Sequence, residues 1–254
     1  MRSCAIRTIA LALAAVLLCG PSVAQQQAPE QPLPYKTVPV TLPAPVANPS
    51  FDAFRKQLGE IAQRKDRAAL EKLVVTQGFF WERESGSGAD DKKSAFDTFA
   101  AVTGLDAADG SGWDFIADYA AEPTASPVTD HKDAICAPAN PVFNQDDFVA
   151  IVKDTESNPF EWGYPLQDGL EARATSQPDS AVVEKLGLHF IRVMFDDLLP
   201  DSGDTMLRIA TPSGKLAYIP VDALSPLGLD QLCYVKLAGT WKIVGYVGEG
   251  ATPQ

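Results

Sequence analysis

The spacing of apolar residues changes near residue 160, and this change constrains the fold more than any other feature of the sequence. Before it, Phe51, Phe54 and Leu58 recur at helical intervals. After it, short segments rich in β-branched and aromatic residues alternate with turn sequences. The sequence therefore predicts an α+β protein, with a mostly helical domain at residues 50–155 and a strand-rich domain at residues 160–250.

The strand-rich region contains two strong turn signals. TPSG at residues 211–214 and AGT at residues 238–240 each separate two segments that favour strands. Several short strands at close spacing are typical of a small barrel. We therefore expect a β-barrel here, followed by a further hairpin at residues 232–247.

Two motifs in this region resemble those of the bacterial Src-homology-3-like (SH3b) domain family. GLEARA at residues 169–174 lies where the family has a sequence such as GLNVRS, and GKLAYI at residues 214–219 lies where it has GxxGWV. The resemblance covers residues 166–226. It implies a small SH3-like β-barrel with an extra C-terminal hairpin, and a binding module in place of an enzyme. Tyr218 stands where the family has its tryptophan, so the resemblance makes Tyr218 a candidate binding residue.

Residues 50–82 resemble the start of nuclear-transport-factor-2-like domains, in which a helix, a polar turn and a second helix lead into a strand. RKDR at residues 64–67 corresponds to the turn, and FFWE at residues 79–82 to the strand. The resemblance implies a pocket in this part of the chain, and thus an alternative function in small-ligand binding or enzymatic activity. A structural protein with no ligand is a further alternative.

The N-terminus has the features of a secretory signal peptide. Arg2 and Arg7 flank the start of a short apolar run, and SVA at residues 22–24 provides the small residues that signal peptidase requires. We expect residues 1–24 to be removed after Ala24, and the protein to be periplasmic or secreted. A lipoprotein signal is the alternative, because Cys19 ends the apolar run.

Residues 25–49 are predicted to be a linker. This segment holds seven prolines and a run of glutamines. Because proline removes backbone donors and fixes φ, we expect the linker to be extended and solvated.

The charge of the chain limits its partners. The net charge is −12, and it becomes −14 without residues 1–24, which carry two arginines and no acidic residue. A field of this sign disfavours nucleic acid and anionic lipid surfaces. After the signal segment no stretch is long and apolar enough to span a membrane. The partners we expect are therefore a peptidoglycan peptide or a periplasmic protein.

Two cysteines, Cys136 and Cys233, remain after removal of the signal peptide. In an oxidising compartment such a pair predicts one disulfide that closes a long loop. Two separate buried thiols are the alternative.

The sequence contains no recognisable catalytic or metal-binding motif. A GxSxG elbow, a phosphate-binding glycine loop and a dinucleotide fingerprint are all missing. His131 precedes Cys136 by five residues, the reverse of the order in cell-wall cysteine peptidases. DAADGSGWD at residues 106–114 breaks the spacing of an EF-hand. We therefore expect no enzymatic activity, no metal and no cofactor.

The aromatic sequence FEWGYP at residues 160–165 lies at the junction of the two predicted domains. Its rings could line a cleft for a peptide or a glycan, with Trp162 and Tyr164 as binding residues. The alternative is that these rings seal the interface between the domains.

Overall fold

The computed structural model describes residues 31–90, 92–177, 179–195 and 205–250. The predicted signal peptide and its cleavage site lie outside the described residues. From Gln31 onward the chain forms a single unit.

The described residues include five α-helices: α1 (Pro49–Arg64), α2 (Arg67–Glu71), α3 (Ala95–Thr103), α4 (Ser111–Ala121) and α5 (Gln145–Asp154). Local signals in the sequence set where α1 begins and ends. The Asn48 side chain accepts hydrogen bonds from the Ser50 and Phe51 amides, and Lys65 ends the helix in a left-handed conformation. None of the described helices combines the length and apolar character that crossing a membrane requires.

The described strands are short and number fifteen: β1 (Val40–Thr41), β2 (Phe80–Arg83), β3 (Gly86–Ser87), β4 (Ser126–Pro127), β5 (Ala134–Ala137), β6 (Val142–Phe143), β7 (Trp162–Pro165), β8 (Leu170–Arg173), β9 (Val182–Leu186), β10 (Ile191–Val193), β11 (Met206–Ala210), β12 (Leu216–Pro220), β13 (Leu224–Pro226), β14 (Gln231–Leu237) and β15 (Thr240–Val247). They form three sheets, of two, six and seven strands. The fold is thus a mixed α+β structure.

The six-stranded sheet has the order β3-β2-β15-β14-β5-β4 and carries a core that it shares with α1, α3 and α4. The Phe51 ring of α1 contacts Tyr234 and Trp241, with ring centres 5.2 and 4.9 Å apart. The first half of the chain is therefore not a mostly helical domain. Strands from both ends of the chain build the sheet against which its helices pack.

The last hairpin, β14–β15, was predicted as an extra element of the strand-rich domain, but it pairs with strands from the first part of the chain. β14 pairs with β5, and β15 pairs in parallel with β2. The hairpin therefore leaves the strand-rich region and forms the centre of the six-stranded sheet. This pairing was not visible in the sequence because its partners lie far away along the chain.

The seven-stranded sheet has the order β13-β7-β10-β11-β12-β8-β9 and remains open. Among the described residues its end strands, β13 and β9, do not pair with each other, so the predicted SH3-like barrel is wrong. The physical reason is that residues 162–165 form a strand where a domain junction was expected. This strand, β7, pairs with β10 and β13 and extends the sheet at one end.

The described part of the predicted linker is mostly exposed, as expected, but two of its valines are buried. Val38 and Val40 are buried in a separate core cluster together with Phe148, Trp162 and Phe190. β1 pairs with β6 in the two-stranded sheet. The segment thus uses the extended backbone that proline favours, while its valines supply the burial.

Candidate ligand-binding cleft

The predicted binding residues Trp162 and Tyr164 lie on β7 within the core. Trp162 is 1% exposed and Tyr164 is 5% exposed. The Trp162 indole N–H donates to the Ser157 hydroxyl at 2.8 Å, and the Tyr35 ring packs edge-to-face on the indole with ring centres 5.0 Å apart. Because the rest of the chain covers both side chains, they present no open face to a ligand.

The third predicted binding residue, Tyr218, lies on β12 and is half-buried. Tyr218 is paired with Arg173 of β8, and among the described residues this is the one register pair that joins the two strands. By contrast, β11 and β12 are paired at five positions. Tyr218 therefore marks the point at which the seven-stranded sheet begins to split.

Beyond this pair, toward the start of β8 and the end of β12, no further register pair joins the two strands among the described residues. Pro220, the last residue of β12, has no amide hydrogen and cannot donate a hydrogen bond toward β8. On its other side β8 is paired with β9 at four positions. The edge of β8 that faces away from β9 is thus left without a paired strand along most of its length.

The split opens into a cleft of about 660 Å³, here called the β8–β12 cleft. Both sides of the split contribute lining residues: Gln167, Gly169, Leu170, Glu171, Arg173, Thr205, Met206, Pro220, Val221 and Asp222. The Val221 amide donates a hydrogen bond to the Thr205 carbonyl at 2.9 Å, which ties β11 and β12 together beside the cleft. The cleft is therefore a gap beside β8 in the seven-stranded sheet. Its opposite wall is formed by the paired strands β11 and β12.

Charged side chains of both signs stand along the cleft. The Arg173 guanidinium donates to the Glu171 carboxylate at 2.7 Å and to the Ser180 carbonyl at 2.7 Å. Lys185 of β9 lies 3.8 Å from the same carboxylate. On the other wall, Asp222 is exposed. The cleft can therefore meet a ligand that carries both a positive and a negative group.

Apolar side chains supply the remaining surface. Leu170 is buried, Met206 is half-buried, and Val221 is 46% exposed. A large exposed valine beside a methionine gives a ligand apolar area to cover. Apolar walls with a few charged groups are typical of ligand clefts.

Sequence reasoning missed most of this cleft because its residues form no motif. Gly169 and Arg173 lie within the first SH3b-like motif, but that motif gave no sign of a gap in the sheet. One signal was available, since proline at the end of a strand marks a place where pairing stops on one side. Pro220 is that residue.

The structure places the Cys136 and Cys233 sulfur atoms within disulfide-bonding distance. The two residues are direct partners on the neighbouring strands β5 and β14. Both are fully buried. The link would join β5 to the C-terminal hairpin.

His131 lies away from the cleft and is held by β2. Its Nε2 atom is 2.6 Å from the Glu82 carboxylate, and its ring stacks on Phe80 with centres 3.5 Å apart. Cys136, the only cysteine near it in sequence, is paired with Cys233. This arrangement supplies no free thiolate beside the imidazole, which a Cys–His nucleophile needs.

Within the described residues, no group of three or more His, Cys, Asp or Glu side chains could hold a metal ion. The space between α1 and the six-stranded sheet is filled by large rings. Phe51, Tyr234 and Tyr246 are fully buried there. We therefore assign no ligand site to the core between the helices and the six-stranded sheet.

No protein-family model, no curated protein and no solved structure matches this chain. The function must therefore be argued from the geometry of the cleft.

Proposed function

We propose that this protein is an exported, non-catalytic binding module, and that the β8–β12 cleft is its ligand site. The observation that carries the proposal is the split in the seven-stranded sheet. β8 and β12 share one register pair, and residues on both sides line a cleft of about 660 Å³. Clefts of a few hundred Å³ with apolar walls and a few charged groups are the usual form of a small-ligand site.

The ligand that fits such a gap is a short extended peptide. An extended peptide can pair its backbone with an open strand edge, while side-chain contacts provide specificity. The edge of β8 that faces away from β9 offers backbone groups for this pairing. Met206 and Val221 offer apolar contacts along the same cleft.

The charges at the cleft favour a peptide with both an amine and a carboxylate. Arg173 suits a carboxylate because guanidinium groups bind carboxylates in a two-pronged geometry. Glu171 and Asp222 suit an ammonium group. A peptide of the bacterial cell wall has both kinds of group, and the predicted export would bring the protein to that compartment. We therefore propose such a peptide as the ligand, with a periplasmic protein segment as the alternative partner.

The proposed absence of catalysis rests on the chemistry of the cleft. Its titratable side chains are Glu171, Arg173 and Asp222, and no cysteine or histidine is among its lining residues. Glu171 is already engaged by Arg173 at 2.7 Å. The other carboxylate, Asp222, is exposed, and among the described residues no hydrogen bond positions it as a general base would need.

The proposal is tested by titrating the protein with a soluble cell-wall stem peptide and following backbone amide shifts by NMR. We expect shift changes at the amides of residues 169–173, 221 and 222. Arg173→Gln should weaken binding by tenfold or more, because one bond between a charged and a polar group is worth about 1.5 to 3 kcal/mol. The control is Arg67→Gln on α2, which breaks a surface ion pair between Arg67 and Asp106.

A second variant separates binding from folding, because Arg173 also supports the Ser180 loop. Val221→Glu places a charge in the cleft at a side chain that is 46% exposed in the absence of ligand. It should abolish binding while leaving the melting temperature unchanged. Shift changes confined to the six-stranded sheet, or binding that both cleft variants retain, would contradict the proposal. Binding of an unrelated extended peptide, with no response to the stem peptide, would favour the periplasmic protein partner.

A further inference from the structure

Residues 32–35 lie as an extended segment against the turn between β11 and β12. The Tyr35 amide donates a hydrogen bond to the Pro212 carbonyl at 3.1 Å. The Tyr35 hydroxyl donates to the Ala210 carbonyl at 3.0 Å, and its ring packs edge-to-face on Trp162, with ring centres 5.0 Å apart. Tyr35 is thus held by its backbone and by its side chain.

The two prolines of this segment lie close to a glycine. A methyl group at Gly214 would lie 2.8 Å from the Pro32 carbonyl oxygen and 3.0 Å from the Pro34 ring. The missing side chain at Gly214 therefore allows a close approach that any other residue would block. Proline also restricts the free segment to extended conformations, so docking costs little conformational entropy.

The next part of the chain is anchored separately. Val38 and Val40 are buried. The Phe190 amide donates to the Val38 carbonyl at 3.1 Å, and the Val40 amide donates to the Leu188 carbonyl at 2.9 Å. Residues 32–35 could therefore leave the turn while these two bonds keep the following residues in place.

We propose that Ala210, the turn at residues 211–214 and the Trp162 ring form a docking site for a Pro-x-Pro-Tyr segment. Residues 32–35 of the same chain occupy this site, and the same segment from a second copy of the chain competes for it. The occupant is argued from the contacts themselves, since the site already holds a segment of this sequence. The site shares no lining residue with the β8–β12 cleft, so the inference does not depend on the proposed function.

The tether sets the strength of this competition. A segment joined to its site by a short linker has an effective concentration on the order of millimolar. A free segment with the same contacts must exceed that concentration to displace it. Weakening the tethered segment alone should therefore open the site to a segment from outside.

The test uses a peptide with the sequence of residues 31–36, QPLPYK, titrated into the isotope-labelled protein. Tyr35→Ala removes the hydroxyl bond and the ring contact of the tethered segment. We expect the peptide to shift the amides of residues 210, 211, 213 and 214 in this variant, with an apparent dissociation constant at least tenfold lower than for the wild-type protein. Equal binding by the two proteins would overturn the proposal.

A pair of glycine variants provides the matched control. Gly214 and Gly228 both have positive φ, at 76° and 71°, but a methyl group at Gly228 would have nothing within 4 Å. Replacing either by alanine thus introduces similar backbone strain, while only Gly214→Ala blocks the docking site. Added to Tyr35→Ala, Gly214→Ala should abolish peptide binding and Gly228→Ala should preserve it. Equal binding by the two double variants would count against the site.

If Tyr35→Ala does not fold, amide hydrogen exchange in the single glycine variants provides a second test of the docking site. In the otherwise wild-type chain, Gly214→Ala should speed exchange of the Tyr35 amide, whereas Gly228→Ala should not. The Val40 amide should stay protected in both variants, because its bond to Leu188 lies outside the docking site. Unchanged protection of the Tyr35 amide in Gly214→Ala would overturn the proposal.

Discussion

The six-stranded and seven-stranded sheets are built from similar short strands, but neighbouring strands are paired to different extents in the two sheets. In the six-stranded sheet, β14 and β15 are paired at seven positions, and helices cover one face. In the seven-stranded sheet, β8 and β12 share one register pair. The comparison indicates that extensive pairing supports a core on the six-stranded sheet, while interrupted pairing accompanies a cleft in the seven-stranded sheet.

The largest expected effect is on the six-stranded sheet, through its cysteine pair. Cys136 and Cys233 are 97 residues apart in sequence. A cross-link over a loop of this length constrains the unfolded chain by about 4 to 5 kcal/mol. The variant Cys136→Ala/Cys233→Ala should therefore lose most of that stability in denaturant unfolding under oxidising conditions. Reduced wild-type protein is the control, and its stability should match that of the variant; a variant as stable as the oxidised wild-type protein would contradict the link.

The next effect is an alkaline loss of stability that also originates in the six-stranded region. Burial raises the pKa of Tyr234 above its ordinary value of about 10. Below pH 10 the folded and unfolded states both keep this proton. Above it the unfolded chain releases the proton while the folded protein retains it, so stability falls as pH rises.

The expected loss from Tyr234 is about 1.4 kcal/mol for each pH unit above 10. Burial raises the pKa of Tyr119 and Tyr246 in the same direction. Urea unfolding at pH 9, 10 and 11 should show the decline, and Tyr234→Phe should make it shallower. An identical pH dependence in the variant and the wild-type protein would argue against a buried, protonated Tyr234.

A smaller effect, at neutral pH, distinguishes two buried tyrosine hydroxyls of the same core. The Tyr246 hydroxyl donates to the Asp230 carboxylate at 2.8 Å, whereas the Tyr234 hydroxyl has no hydrogen-bond partner among the residues that the structure describes. Tyr246→Phe should cost about 1 to 3 kcal/mol, because it removes a bond to a charged group. Tyr234→Phe should leave stability unchanged or raise it. The reverse ranking in thermal unfolding would show that the hydrogen-bonding of this core is misassigned.

The smallest effect on stability is expected in the cleft. Val221→Glu changes a side chain that is 46% exposed, so the free energy of unfolding should move by less than about 0.5 kcal/mol. The same change in the six-stranded core, Ile243→Glu, should prevent folding, because Ile243 is fully buried. Measured by denaturant unfolding, a large destabilisation by Val221→Glu would mean that the cleft is part of a core.

The sequence predicted those features that depend on neighbouring residues. The helical spacing of Phe51, Phe54 and Leu58 marks α1, and AGT at residues 238–240 marks the turn between β14 and β15. It failed where the pairing partner is distant. The two cysteines predicted a link between Cys136 and Cys233, 97 residues apart, but nothing near β14 in the sequence indicated that β14 would pair with β5 to bring them together.

The predicted binding residues show the same limit. Trp162 and Tyr164 were candidates because aromatic rings serve both clefts and cores, and the sequence left the two alternatives open. Their burial depends on Tyr35 and Phe190, which belong to distant parts of the chain. The cleft itself depends on a pairing that stops, which only the three-dimensional register reveals.

Amide hydrogen exchange of β8, with and without peptide, tests the central claim most directly. If the edge of β8 that faces the cleft is open, the amides of Leu170–Ala172 that do not point to β9 should exchange quickly in the free protein. Saturating stem peptide should slow them, while the amides of β14 stay protected throughout. Protection of all β8 amides in the free protein, or no change on adding a peptide that binds, would contradict the account.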